Sequence, residues 1–349
     1  MKALFLIDTP SQVYNVSDAI SSYGIERYDV MINDCNRADT YEQLKNTMVS
    51  LSPQEMIEIP RETGDIEKRI EVYAKYLNTL RKANYSHIFF SAIRQQWQRD
   101  IVCSLECPNT ILMDDGNATV IFYEYLFKDR RFFDFPIDEN EERRTRAEQC
   151  RQVYGISTHQ PTSLSLFTIF DLAPLPWLSV RHNSLNHLSE VDKDVDESSV
   201  YILGIGAETV GYIDLEDYVQ LIVTTARLFE GKSIAYVPHR IESDALQAAI
   251  LEQGIKVSRF DKPIENQLAS MECIPGSIVS YHTTALFTCA KMFPNANVYC
   301  ARPPMSVWNK AKHSHVWNFT ACNNYEGLSV VYKYLEKEPS ITTIDLTLN

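Results

Sequence analysis

KALFLIDTPSQVYNVSDAISSYGIERYDVMI, residues 2–32, decides the fold. After Lys2 the chain is apolar through Ile7, which suits a strand covered on both faces. Thr9-Pro10 makes a turn, and Ser11–Ser21 reads as a helix. Tyr28–Ile32 is strand-like again, so the stretch is a strand–helix–strand unit. The alternation continues outward. Asp65 can cap a helix running to about Lys82, with Ile66, Ile70, Tyr73, Leu77 and Leu80 on one face. His87–Ser91 reads as a strand, Gln95–Ser104 as a helix and Thr110–Met113 as a strand. Short apolar strands between helices predict an α/β fold with parallel sheets.

Residues 189–199, SEVDKDVDESS, are the most polar and acidic stretch and read as a linker. The alternation then restarts. Strands are expected at Val200–Leu203, Ser233–Val237, Lys256–Ser258, Ser277–Tyr281 and Asn297–Cys300. Helices are expected at Leu215–Phe229, at Ser243–Gln253 and from about Thr284. The chain therefore divides into a first domain (1–188), a linker (189–199) and a second domain (200–325). A C-terminal segment (326–349) is expected to carry a helix over Tyr332–Glu338 that returns to the first domain. Two Rossmann-like domains facing a cleft would place ligands at the carboxyl ends of the strands.

The 349 residues suit one large domain or two ordinary ones. Lys+Arg total 33 against 46 Asp+Glu, a net charge of −13, which argues against nucleic acid as a partner. The start, MKALFLIDTPSQ, has an apolar run too short for a secretion signal, and no run approaches the roughly 20 residues of a spanning helix. A cytoplasmic location is expected. The eight cysteines lack zinc-ligand spacing and read as reduced thiols.

Four groups of residues follow expected strands. Asp8-Thr9-Pro10-Ser11-Gln12 precedes a helix whose free amides suit an anionic or polyhydroxyl ligand; a plain cap and turn explains it equally well. Asp114-Asp115-Gly116 offers adjacent carboxylates on opposite sides of the strand, one open as a general base and one held by backbone amides, or else an Asp-Gly turn. Tyr236-Val237-Pro238-His239-Arg240 ends in an imidazole beside a cation, with Glu242 following. Such a His can give a proton to a leaving phosphate, although a lone His is commonly structural. Ser280-Tyr281-His282-Thr283-Thr284 sets two hydroxyls at a strand-to-helix junction, as a phosphate cradle or a cap. Gly204-Ile205-Gly206 lacks the third glycine of a dinucleotide fingerprint, and His313-Ser314-His315 lacks a further metal ligand nearby.

Taken in order, TPSQ after the first strand, DDG, PHR and the TT pair opening a helix resemble the bacterial lipooligosaccharide sialyltransferases and polysialyltransferases. The likeness runs as islands from residue 3 to about 290, and here Pro238 precedes His239 where the family has Pro after His. It implies a GT-B fold and an inverting, metal-independent transfer of sialic acid from CMP-sialic acid to a hydroxyl of a glycan acceptor. On that resemblance Asp114, with Asp115 as the alternative, takes the acceptor proton and His239 serves the leaving CMP. Arg240, Glu265, Ser280, Thr283 and Thr284 meet the donor, and Thr9, Pro10, Gln12 and Gly116 the acceptor. No cofactor or metal is implied, and a lipid-linked acceptor would fit peripheral membrane association. A different GT-B donor such as a UDP-hexose, or a non-catalytic nucleotide- or glycan-binding protein, is the alternative.

Overall fold

The computed structural model describes residues 1–33, 38–62, 64–131, 140–186, 192–308 and 325–347. His313 and His315 lie outside them. The chain forms two compact units: Met1–Asp115 with Tyr125–His187, and Gly116–Glu124 with Leu188–Asn349.

The first unit carries β1 (Lys2–Ile7), α1 (Pro10–Tyr23), β2 (Arg27–Asn33), α2 (Ala38–Met48), β3 (Glu55–Ile59), α3 (Ile66–Ala74) and α4 (Leu77–Lys82). It continues through β4 (His87–Phe90), α5 (Gln96–Leu105) and β5 (Asn109–Met113). The chain then enters α6 (Ala118–Phe122), which belongs to the second unit, before returning through α7 (Glu141–Val153), β6 (Leu164–Thr168) and β7 (Leu178–His182). The sheet order is β3-β2-β1-β4-β5-β6-β7, every pairing parallel. Phe5 and Phe89 stack at 4.5 Å in a core that Val13, Val16 and Ala19 of α1 close from one side. That face follows from the helical spacing of the three residues. The helix expected over 65–82 breaks at Lys75–Tyr76 into α3 and α4. Ile70, Tyr73, Leu77 and Leu80 stay buried on both sides of the break, and Tyr73 donates to Asp100, which pairs with Arg151 at 2.9 Å.

The second unit carries β8 (Asp194–Leu203), α8 (Leu215–Arg227), β9 (Ser233–Val237), α9 (Asp244–Glu252), β10 (Lys256–Val257), α10 (Ile264–Ser270) and β11 (Cys273–Ser280). α11 (Ala285–Met292), β12 (Asn297–Arg302), α12 (Tyr325–Leu335) and β13 (Ile341–Asp345) complete it. Its sheet order is β10-β9-β8-β11-β12-β13, again all parallel.

The structure corrects the expected boundaries. Asp194–Ser199 is no linker: it opens β8, with Asp194–Asp196 paired to Cys273–Pro275 of β11. Its acidic side chains face water while the backbone makes the ladder, so polarity did not prevent strand formation. α12 and β13 are part of the second unit, and β13 forms the edge of its sheet beside β12. Gly116–Glu124 likewise belongs to the second unit, although it follows β5 of the first sheet. Among the described residues no helix is long and apolar enough to cross a membrane.

Candidate functional sites at the two switch points

In each sheet the strand order reverses once, and the loops flanking that reversal open a crevice at the carboxyl ends. The reversal lies between β1 and β4 in the first unit and between β8 and β11 in the second.

In the first unit Asp8 and Thr9 follow β1. Pro10 starts α1, and Gln12 is its third residue. Gln12 is buried, and its Oε1 accepts from the amides of Asp8 (2.7 Å) and Thr9 (3.2 Å). This is the reach-back half of a capping box, so the Gln12 carbonyl is engaged with backbone. The Thr9 hydroxyl meets that of Ser11 at 3.1 Å. After β5, Asp114 is buried, and its Oδ2 accepts from the amide of Ile169 at 2.7 Å. Asp115 pairs with the exposed guanidinium of Arg94 at 3.1 Å. The alternation at a strand end thus separates the two acids: Asp114 is the amide-held one and Asp115 the more open one. Asp8 itself accepts from the Trp97 indole at 3.0 Å and the Gln98 amide at 2.5 Å.

The second unit has a denser site. Its centre is Glu242, 4% exposed. Its Oε1 accepts from the amide of Gly206 (2.8 Å) and the hydroxyl of Tyr218 (3.2 Å). Its Oε2 accepts from the hydroxyl of Tyr236 (2.8 Å) and the amide of His239 (3.0 Å). Burial pushes the Glu242 carboxyl above its ordinary value, and these donors pull it back. One carboxylate thereby fixes the loop after β8 to the loop after β9. The glycines are needed for it. A Cβ on Gly204 would lie 2.5 Å from both Glu242 oxygens, and one on Gly206, whose φ is +68°, would lie 2.7 Å from Ile241.

His239 and Arg240 sit on this tethered loop, His239 half-buried and Arg240 exposed. Across the switch point, Ser280 is fully buried and its hydroxyl donates to the carbonyl of Leu203 at 2.7 Å, joining the ends of β11 and β8. Thr283 Oγ1 accepts from the amide of Ala285 at 3.3 Å as α11 begins, and Thr284 lies beside Gly116, whose φ is +59°. Gly116 is thus placed in the second unit. Glu265 lies in the first turn of α10 and accepts from the Thr288 hydroxyl of α11 at 2.5 Å. His282 is buried with its ring 4.9 Å from Trp308, and burial holds its imidazole down at about 3, so it is neutral near pH 7.

The second switch point therefore gathers His239, Arg240, Ser280, Thr283, Thr284 and Gly116 within one unit. Asp114, Asp115, Thr9, Pro10 and Gln12 belong to the first. Sequence reasoning gave no role to Tyr218, Tyr236, Trp97 or Gln98. Glu242 three residues after His239, and the Gly-X-Gly directly after a strand, were the available signals for the second cluster.

No family model matches the chain, and no curated protein matches it. Among solved structures, the UDP-GlcNAc 2-epimerase of Methanocaldococcus jannaschii in complex with UDP-GlcNAc and UDP is similar with a TM-score of 0.53 at 11% identity. That match covers 99% of this chain and 89% of the other. The Neisseria meningitidis UDP-GlcNAc 2-epimerase bound to UDP-GlcNAc gives 0.49 at 9% identity, covering 97% and 92%. MurG of Acinetobacter baumannii gives 0.45 at 7%, covering 99% and 86%. The expectation of CMP-sialic acid as donor is corrected here, because the solved structure alike in fold at a TM-score of 0.53 is named for UDP-GlcNAc and UDP and not for a CMP-sugar. What the likeness shows is the fold: α/β, of the GT-B class, with two Rossmann-like units.

Proposed function

We propose that this chain is a GT-B glycosyltransferase that uses a UDP-sugar, a UDP-hexose being the simplest donor, and transfers it to a glycan hydroxyl. The observation that carries the reading is the crevice between β8 and β11. There the Gly204-Ile205-Gly206 loop, the Glu242-tethered loop bearing His239, and the start of α11 lie at one switch point. Glycines allow close backbone approach, and the amides at a helix start favour phosphate oxygens. The choice of uridine is supported by the likeness to a UDP-GlcNAc enzyme of the same fold.

The chemistry follows from the charge that develops as a diphosphate leaves a sugar. The amides and hydroxyls of Thr283 and Thr284 stabilise it on one side, and Arg240 on the other. His239 gives a proton or a hydrogen bond to the leaving oxygen, and its tether to Glu242 holds the loop without reorganisation. With these groups supplying the positive charge, turnover is expected without a divalent cation.

The test is release of UDP from a panel of UDP-hexoses in EDTA, with galactosides and other glycans as acceptors. UDP release that drops about 100-fold or more in His239→Ala supports the reading. UDP binding without turnover of any UDP-sugar would favour a non-catalytic binding protein, and turnover confined to manganese would refute the metal-free mechanism.

A further inference from the structure

A cavity of about 360 Å³ opens at the carboxyl ends of β12 and β13, and the residues lining it all belong to the second unit. Arg302 and Asp345 are the last residues of those two strands and stand opposite each other in the ladder. α12 forms one wall. Ser329, Tyr332 and Lys333 have the i, i+3 and i+4 spacing that places them on one helix face, and Glu336 follows just past the helix end. Neighbouring strands lie about 4.8 Å apart, so the cavity is about 10 Å across the sheet from the crevice between β8 and β11. It is a separate place at the same end of the same sheet.

The charges of the lining cancel. Arg302 donates through Nε to Asp345 at 2.6 Å and through Nη1 to Glu336, so one guanidinium lies between two carboxylates. The exposed Lys333 brings the second positive charge, with no ion-pair partner among the described residues. An ion of either sign entering here meets a like charge. What remains is hydrogen-bonding capacity of both kinds: the carboxylate oxygens have lone pairs beyond those that Arg302 takes, and the ammonium has three donors. Tyr332 is 3% exposed, and its hydroxyl has no hydrogen-bond partner among the described residues. The Trp308 indole lies close enough to influence that hydroxyl, but it is itself unsatisfied. Buried polar groups in native proteins are nearly always satisfied, so such a hydroxyl calls for a partner from outside the protein. Apolar surface from Met305 and Leu346 completes the lining. Small-molecule sites have this composition and a volume of roughly 300–1,000 Å³.

We propose that this cavity binds a neutral pyranose, one sugar unit of a glycan. The C–H faces of the ring lie against Met305 and Leu346, its hydroxyls donate to Glu336 and Asp345, and its oxygens accept from Lys333 and Tyr332. A sugar hydroxyl both donates and accepts, which matches the mixed lining. A phosphate or carboxylate ligand offers acceptors alone and would face two carboxylates, and an ammonium would face Arg302 and Lys333. No bond is made or broken here. The site adds glycan recognition to the second unit and does not require that the chain turn over a UDP-sugar.

The experiment is a ligand-observed NMR titration of the full chain with UDP present. It compares methyl glucoside, methyl galactoside and N-acetylglucosamine with the charged rings glucuronate and glucosamine. The expected result is that at least one neutral ring binds saturably and more tightly than either charged ring. Ser329→Trp, which fills the cavity from an exposed helix position, should weaken that binding about tenfold or more while UDP binding is kept. Lys333→Ala should weaken it about threefold or more, and it carries the test if Ser329→Trp does not fold. No binding of any neutral ring to the wild type, tighter binding of a charged ring, or neutral-ring binding that Ser329→Trp (or Lys333→Ala in its place) leaves intact overturns the proposal. A chain that binds no UDP counts against the proposed function, and the saccharide titration then decides this site unchanged.

Discussion

Truncating Glu242 to alanine tests whether one carboxylate organises the second site. The side chain accepts from two amides, Gly206 and His239, and from two hydroxyls, Tyr218 and Tyr236. After truncation the hydroxyls retain each other at 3.4 Å, and Tyr218 still receives the Ile205 amide. The Gly206 and His239 amides lose their acceptor. A buried polar group left unsatisfied costs about 1–3 kcal/mol, so the pair together costs about 2–6 kcal/mol. Removing a desolvated carboxyl offsets part of that, leaving a net loss of about 3 kcal/mol. For a unit of this size the melting transition should fall by about 6–12 °C. Scanning calorimetry of the full chain, read as two transitions because there are two units, is the assay. Glu242→Gln keeps the shape and one oxygen acceptor, so it should lose less than half as much. An alanine variant destabilised by less than about 1 kcal/mol, or a glutamine variant as costly as alanine, would refute the hub.

Gly206→Ala forces a Cβ to 2.7 Å from Ile241 at positive φ, and should cost about 1–3 kcal/mol and weaken nucleotide binding, as calorimetry and titration would show. His282, held near 3 by burial, binds fewer protons folded than unfolded between about pH 6.5 and 3. Stability of the second unit should therefore fall as pH drops through that window, and His282→Phe should flatten the pH dependence measured by urea unfolding. Asp8 has the opposite sign. Its folded value of about 7 lies above the unfolded 3.8, so stability of the first unit should decline as pH rises from about 4 to 7, and Asp8→Asn should remove that decline. Arg151→Met strands Asp100 in the buried network and should cost about 3–5 kcal/mol by urea unfolding.

Much of this fold is legible in the sequence because its central strands are covered on both faces. Lys2–Ile7 and Ser233–Val237 are found at the expected residues. The strands that escaped are those whose composition does not betray burial. Glu55–Ile59 forms an edge and alternates with glutamates, and Leu178–His182 is an edge with exposed Arg181 and His182. Ile341–Asp345 is the opposite edge of the second sheet. β6 also escaped, although it is buried. At the site, residue type and position after a strand pointed to His239 and the Thr283–Thr284 pair. They did not distinguish a hydroxyl open to ligand from Ser280, whose hydroxyl is bonded to Leu203. Nor did they show that Gln12 is turned back onto the Asp8 amide. Those distinctions depend on contacts between distant segments.

The central claim is that the crevice between β8 and β11 holds a uridine nucleotide. Calorimetric titration of the full chain with UDP, against CMP and against the Gly206→Ala variant, tests it most directly. The account predicts saturable UDP binding, at least about tenfold tighter than CMP, equivalent to about 1.4 kcal/mol, and weakened in the variant. Equal or tighter binding of CMP, or UDP binding that Gly206→Ala leaves intact, would contradict it.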